Sequence, residues 1–356
     1  MTVVIKKEDD YLKKVVRVKD VLIGGDNPIT VQSMTTTDTR DVDNTILQIK
    51  RLQDAGCDIV RVAVLDFEAS SAISKIKKNI DIPLVADIHF DYRLAIESIK
   101  NGADKIRINP GNIGSMDRVK QVVKVAREYN VPIRIGVNAG SLRPDLIKKY
   151  NGPTTEAMVC GAMENIEILE ALNFDDIVVS LKASDVKKTV DAYKLIDKKI
   201  NYPLHIGVTE AGTEWAGTIK SSIGIGSLLL LGIGDTIRVS LTSAPEQEVK
   251  TGIEILKSLG LKKRGIKFIS CPTCGRCQIN LIDIANKVEE RLANVDKDIT
   301  VAIMGCAVNG PGEASNADIG IAGGKNEALL FKKGKIIRKI SEDAIIDELI
   351  QEINKM

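Results

Sequence analysis

Between residues 28 and 260 one unit recurs along the chain: a short β-branched run, then about 11 to 18 residues whose apolar side chains follow helical spacing. Eight such runs are present, "PITVQSM", "DIVRVAV", "IPLVADIHF", "ADKIRINP", "VPIRIGVN", "DIVVSLKAS", "YPLHIGVTE" and "DTIRVSLTS". Several of the helical stretches stop at glycine, at Gly56, Gly102, Gly232 and Gly260, as a left-handed C-terminal cap requires. Eight strand-helix units in roughly 250 residues predict an α/β fold, a (β/α)8 TIM barrel. An open doubly wound sheet is the alternative, because periodicity does not show closure.

Each run also divides by parity. Side chains alternate faces along a strand, and one face of each run is almost wholly apolar while the other carries polar groups. Ile106 and Ile108 oppose Lys105, Arg107 and Asn109, and Ile133, Ile135 and Val137 oppose Arg134, Gly136 and Asn138. Leu84, Ala86 and Ile88 likewise oppose Val85, Asp87 and His89. Gln32, Arg61, Ser180 with Lys182, His205 with Thr209, and Arg238 with Ser240 follow the same rule. In a barrel the apolar parity packs on the helices, so the polar parity faces the lumen, near the C-terminal mouth where such folds keep their active sites.

That mouth would gather Arg61, Arg107, Arg134, Lys182 and Arg238 against only Asp87 and the nearby Glu210. Desolvated cations repel one another unless an anion lies among them, and the arginine fork suits phosphate oxygens. A small phosphate or diphosphate ester is the expected ligand. Glu210, directly after the seventh run, is a candidate proton donor if burial raises its pKa, or else a helix N-terminal glutamate. The only two histidines, His89 and His205, both fall on lumen parity, and no paired-histidine motif supports a metal in the barrel.

A length of 356 residues suits a barrel plus a smaller domain, here 1–262 and 263–356. The smaller one reads as α+β. Its runs are strand "IKFIS", a cysteine loop, helix "QINLIDIANKVEERLANV", strand "ITVAIMG", the loop "CAVNGPGEAS", a strand pair "ADIGIAGG" and "ALLFKKGKIIRKI", and helix "SEDAIIDELIQEINKM". The formal charge of +2, with both signs interspersed, gives no nucleic-acid footprint and no polybasic membrane arm. Acidic residues in "MTVVIKKEDDYLKK" and the brevity of "IGIGSLLLLGIG" argue against a signal peptide and a membrane span, so a cytosolic protein is expected. In that compartment the six cysteines are not a disulfide framework. Cys57 and Cys160 stand alone and read as small buried hydrophobes.

Cys271, Cys274 and Cys277 fall within seven residues, and Cys306 lies in the later Gly-Pro loop with Glu313 seven positions on. Zinc would need all four cysteines at an unusual spacing, and the ferredoxin pattern lacks its fourth cysteine. A thiolate-rich set with an imperfect fourth ligand favours an iron-sulfur cluster over zinc, but spacing leaves open which cysteines bind.

The stretches "GGDNPITVQSMT", "AGCDIVRVAV", "IPLVADIHFDYRLA", "DKIRINPGNIG", "HIGVTEAG", "ISCPTCGR" and "GCAVNGPGEA" span nearly the whole chain. They resemble the 4-hydroxy-3-methylbut-2-en-1-yl diphosphate synthase family of the non-mevalonate isoprenoid pathway, in its two-domain bacterial form. The resemblance implies a TIM barrel followed by a [4Fe-4S] domain whose ligands are Cys271, Cys274, Cys306 and Glu313. It implies reductive ring opening of 2-C-methyl-D-erythritol 2,4-cyclodiphosphate with loss of water. The diphosphate is expected on Arg61, Arg107, Arg134 and Lys182, helped by His89, Asn138, His205, Arg238 and Ser240, with Glu210 handling a proton. A head-to-tail homodimer and electrons from flavodoxin or ferredoxin are implied as well. Cys277 is left over as a bystander. The rival readings are a non-redox phosphate-ester lyase or aldolase with a structural zinc domain, and a metal-dependent phosphometabolite sensor.

Overall fold

The computed structural model describes residues 12–262, 265–292, 295, 297–306, 314 and 316–356, which form two compact units dividing at 262/263. The first begins with an antiparallel hairpin, β1 (Val16–Val18) and β2 (Val21–Ile23). Strands β3 (Thr30–Met34), β4 (Ile59–Ala63), β5 (Leu84–Asp87), β6 (Lys105–Ile108), β7 (Ile133–Asn138), β8 (Ile177–Lys182), β9 (His205–Ile206) and β10 (Thr236–Ile237) follow. Their spatial order is β8-β7-β6-β5-β4-β3-β10-β9, every pair parallel. A parallel bridge between Val179 and Leu204, with the Val179 N–H on the Pro203 carbonyl at 2.9 Å, joins β8 to β9. The ring closes, which excludes the open sheet.

Helices α1 (Val42–Asp54), α2 (Phe67–Lys77), α3 (Tyr92–Lys100), α4 (Met116–Glu128), α5 (Pro144–Lys149), α6 (Thr155–Glu170), α7 (Val186–Asp197), α8 (Glu214–Leu230) and α9 (Pro245–Ser258) follow the strands in turn, α5 and α6 both after β7. Asp41, Asp66, Asp91 and Asp185 cap α1, α2, α3 and α7 by accepting first-turn N–H groups, each stabilising its helix by about 1 kcal/mol. The four glycines expected to stop helices all have positive φ.

The outward parity forms the main core: Val60, Val62, Ile106, Ile108, Ile133, Ile135, Val179 and Leu181 pack beneath the helices with less than 1% exposure. At the other end of the lumen Val16, Val18 and Ile23 of the hairpin pack on the inward residues Ile59, Val85 and Val178. An apolar plug thus seals the floor, and only the mouth is left for polar chemistry. Cys57 is buried and burial pushes its thiol up to about 12, while Cys160 departs from expectation by being half-buried, its Sγ 3.6 Å from Glu164 Oε1.

In the second unit β11 (Lys267–Ser270), α10 (Leu281–Leu292), β12 (Thr300–Met304), β13 (Ile319–Gly324), β14 (Glu327–Lys332), β15 (Lys335–Ser341) and α11 (Ile345–Asn354) build a sheet ordered β11-β12-β13-β14-β15. The first three strands run parallel, and β14 and β15 return antiparallel. Ile284, Val288, Leu349 and Ile353 from the two helices share one core with Val301, Ile303, Ile319 and Ile321. Two expectations are corrected. "ALLFKKGKIIRKI" is two strands rather than one, because Lys333 (φ +47°) and Gly334 (φ +74°) turn the chain back. The helix starts at Leu281 rather than Gln278, whose N–H is held by the Gly305 carbonyl at 3.0 Å.

Candidate active site

At the mouth of the barrel the inward side chains enclose a cavity of about 210 Å³. Arg61, Asp87, His89, Arg107, Arg134, Asn138, Ser180, Lys182, Thr209, Arg238 and Ser240 line it, from all of the barrel strands or their C-terminal extensions except β3. The register explains the convergence: Asp87 lies beside Arg107, Arg107 beside Arg134, and Asn138 beside Lys182.

Two carboxylates organise the cations. Asp87 Oδ1 accepts from Arg107 Nη1 at 3.2 Å, and Asp87 Oδ2 lies 3.8 Å from Arg61 Nε and 3.4 Å from His89 Nε2. Burial alone would raise the Asp87 carboxyl, but Arg61, then His89 and Arg107, hold it well below the ordinary range. Glu248 on α9 stands 3.7 Å from Arg238 Nη2 and accepts from Ser33 Oγ at 3.1 Å and from the Leu241 N–H at 2.9 Å. Arg61 lays its guanidinium against Met34 Sδ, with Nη2 at 2.8 Å.

Arg107 crosses the lumen over Gly136, donating from Nη2 to its carbonyl at 3.0 Å. A Cβ at Gly136 would fall 2.4 Å from Arg107 Nε, so the bare backbone is what lets the guanidinium reach the cavity. Arg134 is 2% exposed and donates only weakly, from Nη1 to Gln32 Oε1 at 3.4 Å, and its Nε has no partner among the described residues.

The consequence is electrostatic. Burial first, with Arg238 and Arg107 adding to it against the pull of Asp87, brings Arg61 down to about 10. Burial, then Arg61 and Arg107, pushes Arg134 well below its usual value. Arginine does not give up its proton in proteins, so the stress is relieved by an anion rather than by loss of charge. Lys182 and His205 can shed theirs. Burial, then the neighbouring cations, lowers both well below their ordinary values.

His205 does not line the cavity. It is fully buried, its Nε2 3.2 Å from Lys182 Nζ and its Nδ1 3.4 Å from Thr236 Oγ1, so it supports Lys182 from beneath. Glu210 is exposed, at φ +52°, and lies outside the cavity lining, so the burial expected of it is absent. Glu248 was not singled out from the sequence. Its only signal was an acidic residue in the first turn of the helix after the eighth strand.

The cysteines of the second unit sit at the C-terminal ends of two adjacent parallel strands. Cys271 follows β11 directly, and its Sγ accepts the Gly305 N–H at 3.2 Å, just past β12. Cys306 is buried beside it in sequence, and Cys274 is exposed. The backbone and then the side chain of Arg276 lower the Cys274 thiol. Cys277 closes a turn onto the Cys274 carbonyl at 2.9 Å and donates its Sγ to the Ile279 carbonyl at 3.3 Å. A Cβ on Gly305 would meet that Sγ at 2.6 Å. Among the described residues no three His, Cys, Asp or Glu side chains gather as a metal site, and Glu313 lies outside those residues. Free thiols on neighbouring loops, one receiving an N–H···S contact, fit a thiolate-ligated cluster.

Family models match both units: the GcpE TIM-barrel domain over residues 13–253 and the GcpE protein C-terminal domain over residues 267–355. The chain belongs to the GcpE family. A relative from Clostridium acetobutylicum is 62% identical over 341 residues, 96% of this chain and 98% of the relative. One from Ruminiclostridium cellulolyticum is 62% identical over 343 residues, 96% and 97%. A third, from Clostridium perfringens, is 61% identical over 336 residues, 94% and 96%. All three carry the name 4-hydroxy-3-methylbut-2-en-1-yl diphosphate synthase (flavodoxin). Among the described residues of this GcpE chain no helix is long and apolar enough to cross a membrane.

Proposed function

We propose that this GcpE protein is an oxidoreductase that converts 2-C-methyl-D-erythritol 2,4-cyclodiphosphate to 4-hydroxy-3-methylbut-2-en-1-yl diphosphate and water. The observation that carries the reading is the set of five Arg and Lys side chains lining one cavity, in a chain whose 62% identical relatives bear that synthase name. Two electrons and one proton turn the cyclic dianion into the linear trianion and water, so negative charge grows on the phosphate oxygen that leaves the ring carbon. Arg61, Arg107, Arg134, Lys182 and Arg238 hold the diphosphate, and His89, Asn138 and Ser240 orient it. Their fixed charges stabilise the departing oxygen without having to reorganise. Asp87 keeps Arg61 and Arg107 extended toward the ligand, and His205 steadies Lys182. Glu210, exposed in the single chain, handles the proton once the mouth is covered.

Cys271, Cys274, Cys306 and Glu313 would hold the cluster. When bound, a [4Fe-4S] cluster supplies electrons one at a time and a Lewis-acidic iron where the hard carboxylate is displaced. The barrel, 1–262, is the substrate domain and 263–356 the cluster domain. The protein works in the cytosol, where free thiols persist, with flavodoxin, or ferredoxin, as donor. It works as a head-to-tail homodimer in which the cluster domain of one copy covers the barrel mouth of the other. Large apolar side chains after β4, β5 and β9 support this: Leu65, Phe90 and Trp215 are 74%, 76% and 79% exposed.

Anaerobic purification with iron and sulfide analysis, followed by turnover with a reduced one-electron donor, tests the reading. Iron and sulfide in equal amounts and formation of the linear diphosphate are expected. One zinc per chain without sulfide would instead support the non-redox alternative.

A further inference from the structure

Beneath the cup lies a basic side chain that no contact accounts for. Lys105 opens β6 on the inward parity, level with Val85, and is fully buried. Its Nζ has no hydrogen-bond partner among the described residues. Arg134 of β7 and Arg61 of β4 are the charges that act on it, and His205 of β9 feels it in turn. The carboxylates are engaged elsewhere, Asp87 of β5 with Arg107 and Arg61, and Glu248 of α9 with Arg238. Toward the floor the inward residues Ile59, Val85 and Val178 pack on the hairpin.

An ammonium in this place would face cations above and hydrocarbon below. A buried amine meets that cost by releasing its proton. Consistent with this, burial, then Arg134 and Arg61, pushes the Lys105 amine well below its usual value. A dianion among the arginines offsets the repulsion from Arg134 and Arg61 that adds to the burial of the amine.

We propose that Lys105 is an anion-linked proton acceptor, uncharged while the cup is empty and protonated when a diphosphate occupies the cavity above it. The inference deepens the proposed function and rests on it. Because linkage is reciprocal, the proton tightens the anion as the anion tightens the proton. The extra negative charge formed on ring opening is then balanced from beneath as well as from the rim. Lys105 does not line the cavity and acts through Arg134, as a positioning residue.

Isothermal titration calorimetry of the full chain with the cyclic diphosphate, without reductant, in Tris and in HEPES counts protons taken up, since the two buffers release a proton with different heats. The ring lacks the monoester ionisation near pH 6, so the ligand contributes none. At about pH 8 the wild type is expected to take up roughly one proton per site more than Lys105→Met, beyond any that Lys182 on the cavity wall regains. That difference should persist in the His205→Asn background, and Lys105→Arg, whose guanidinium is charged throughout, should match Lys105→Met. Uptake unchanged in both Lys105 variants, or lost in His205→Asn alone, assigns the proton to the Lys182 and His205 pair and overturns the proposal. Binding by the wild type with no uptake overturns it outright. No binding at all overturns the diphosphate reading itself, which separates the two failures.

Discussion

In the barrel, Arg107 is 7% exposed and held by Asp87 and Gly136 of the two neighbouring strands, whereas in the second unit Cys274 is exposed and Cys271 Sγ accepts one N–H among the described residues. The cup is made by strand register, and ring closure brings its side chains together. The cysteines ride on loops, where the geometry of a metal site is completed by the metal it binds. One unit should therefore recognise its anion independently of the other's cofactor, and changes in either should be separable by measuring both.

The largest expected effect tests that independence. Cys306→Ala should lower turnover at least about a hundredfold and deplete iron, while calorimetric affinity for the cyclic diphosphate changes less than about threefold. A parallel collapse of binding would join the two sites. Next, Arg107→Met removes charge-assisted bonds worth about 1.5 to 3 kcal/mol, so the dissociation constant should rise about ten- to 150-fold with iron content unchanged. Loss of iron in that variant would break the contrast from the other side.

A smaller effect is expected on stability. Lys105 has a folded-state pKa below its unfolded one, so its contribution is fully present above about pH 10.4 and is lost as pH falls toward the folded value. Lys105→Met removes this penalty. The variant should melt above the wild type at pH 7, by about 2 to 4 °C for each kcal/mol, with the gap closing as pH rises. A gap that widens with pH would mean the amine is charged in the empty barrel. Least of all, Cys277→Ser should leave iron content and turnover within about twofold of wild type. Its thiol is spent on the Ile279 carbonyl, and a lost cluster would restore three equivalent thiols to the loop.

Much of the barrel was legible because a strand's two faces are written at alternate positions. Arg61, Arg107, Arg134, Lys182 and Arg238 all reach the cavity that parity called for. Parity does not carry depth. His205 and Lys105 share the inward face with the cavity residues but lie below them, since height in the lumen depends on shear and on the hairpin plug. Glu248 was illegible for a different reason: it reaches Arg238 from a helix, and no strand rule reports on a helix. The turn at Lys333 and Gly334 was carried by a single glycine among basic residues within one strand-like run.

By itself the sequence determined the eight-unit rhythm, the outward apolar stripe, the inward basic residues and the clustering of cysteines, because periodicity and spacing are local properties of the chain. Tertiary structure alone decided that the sheet closes, that β1 and β2 seal its floor, that Glu248 rather than Glu210 joins Asp87 as counter-charge, and that Glu210 faces solvent. Those depend on which distant residues meet, and desolvation, which turns a set of arginines into an anion site, exists only after they have met.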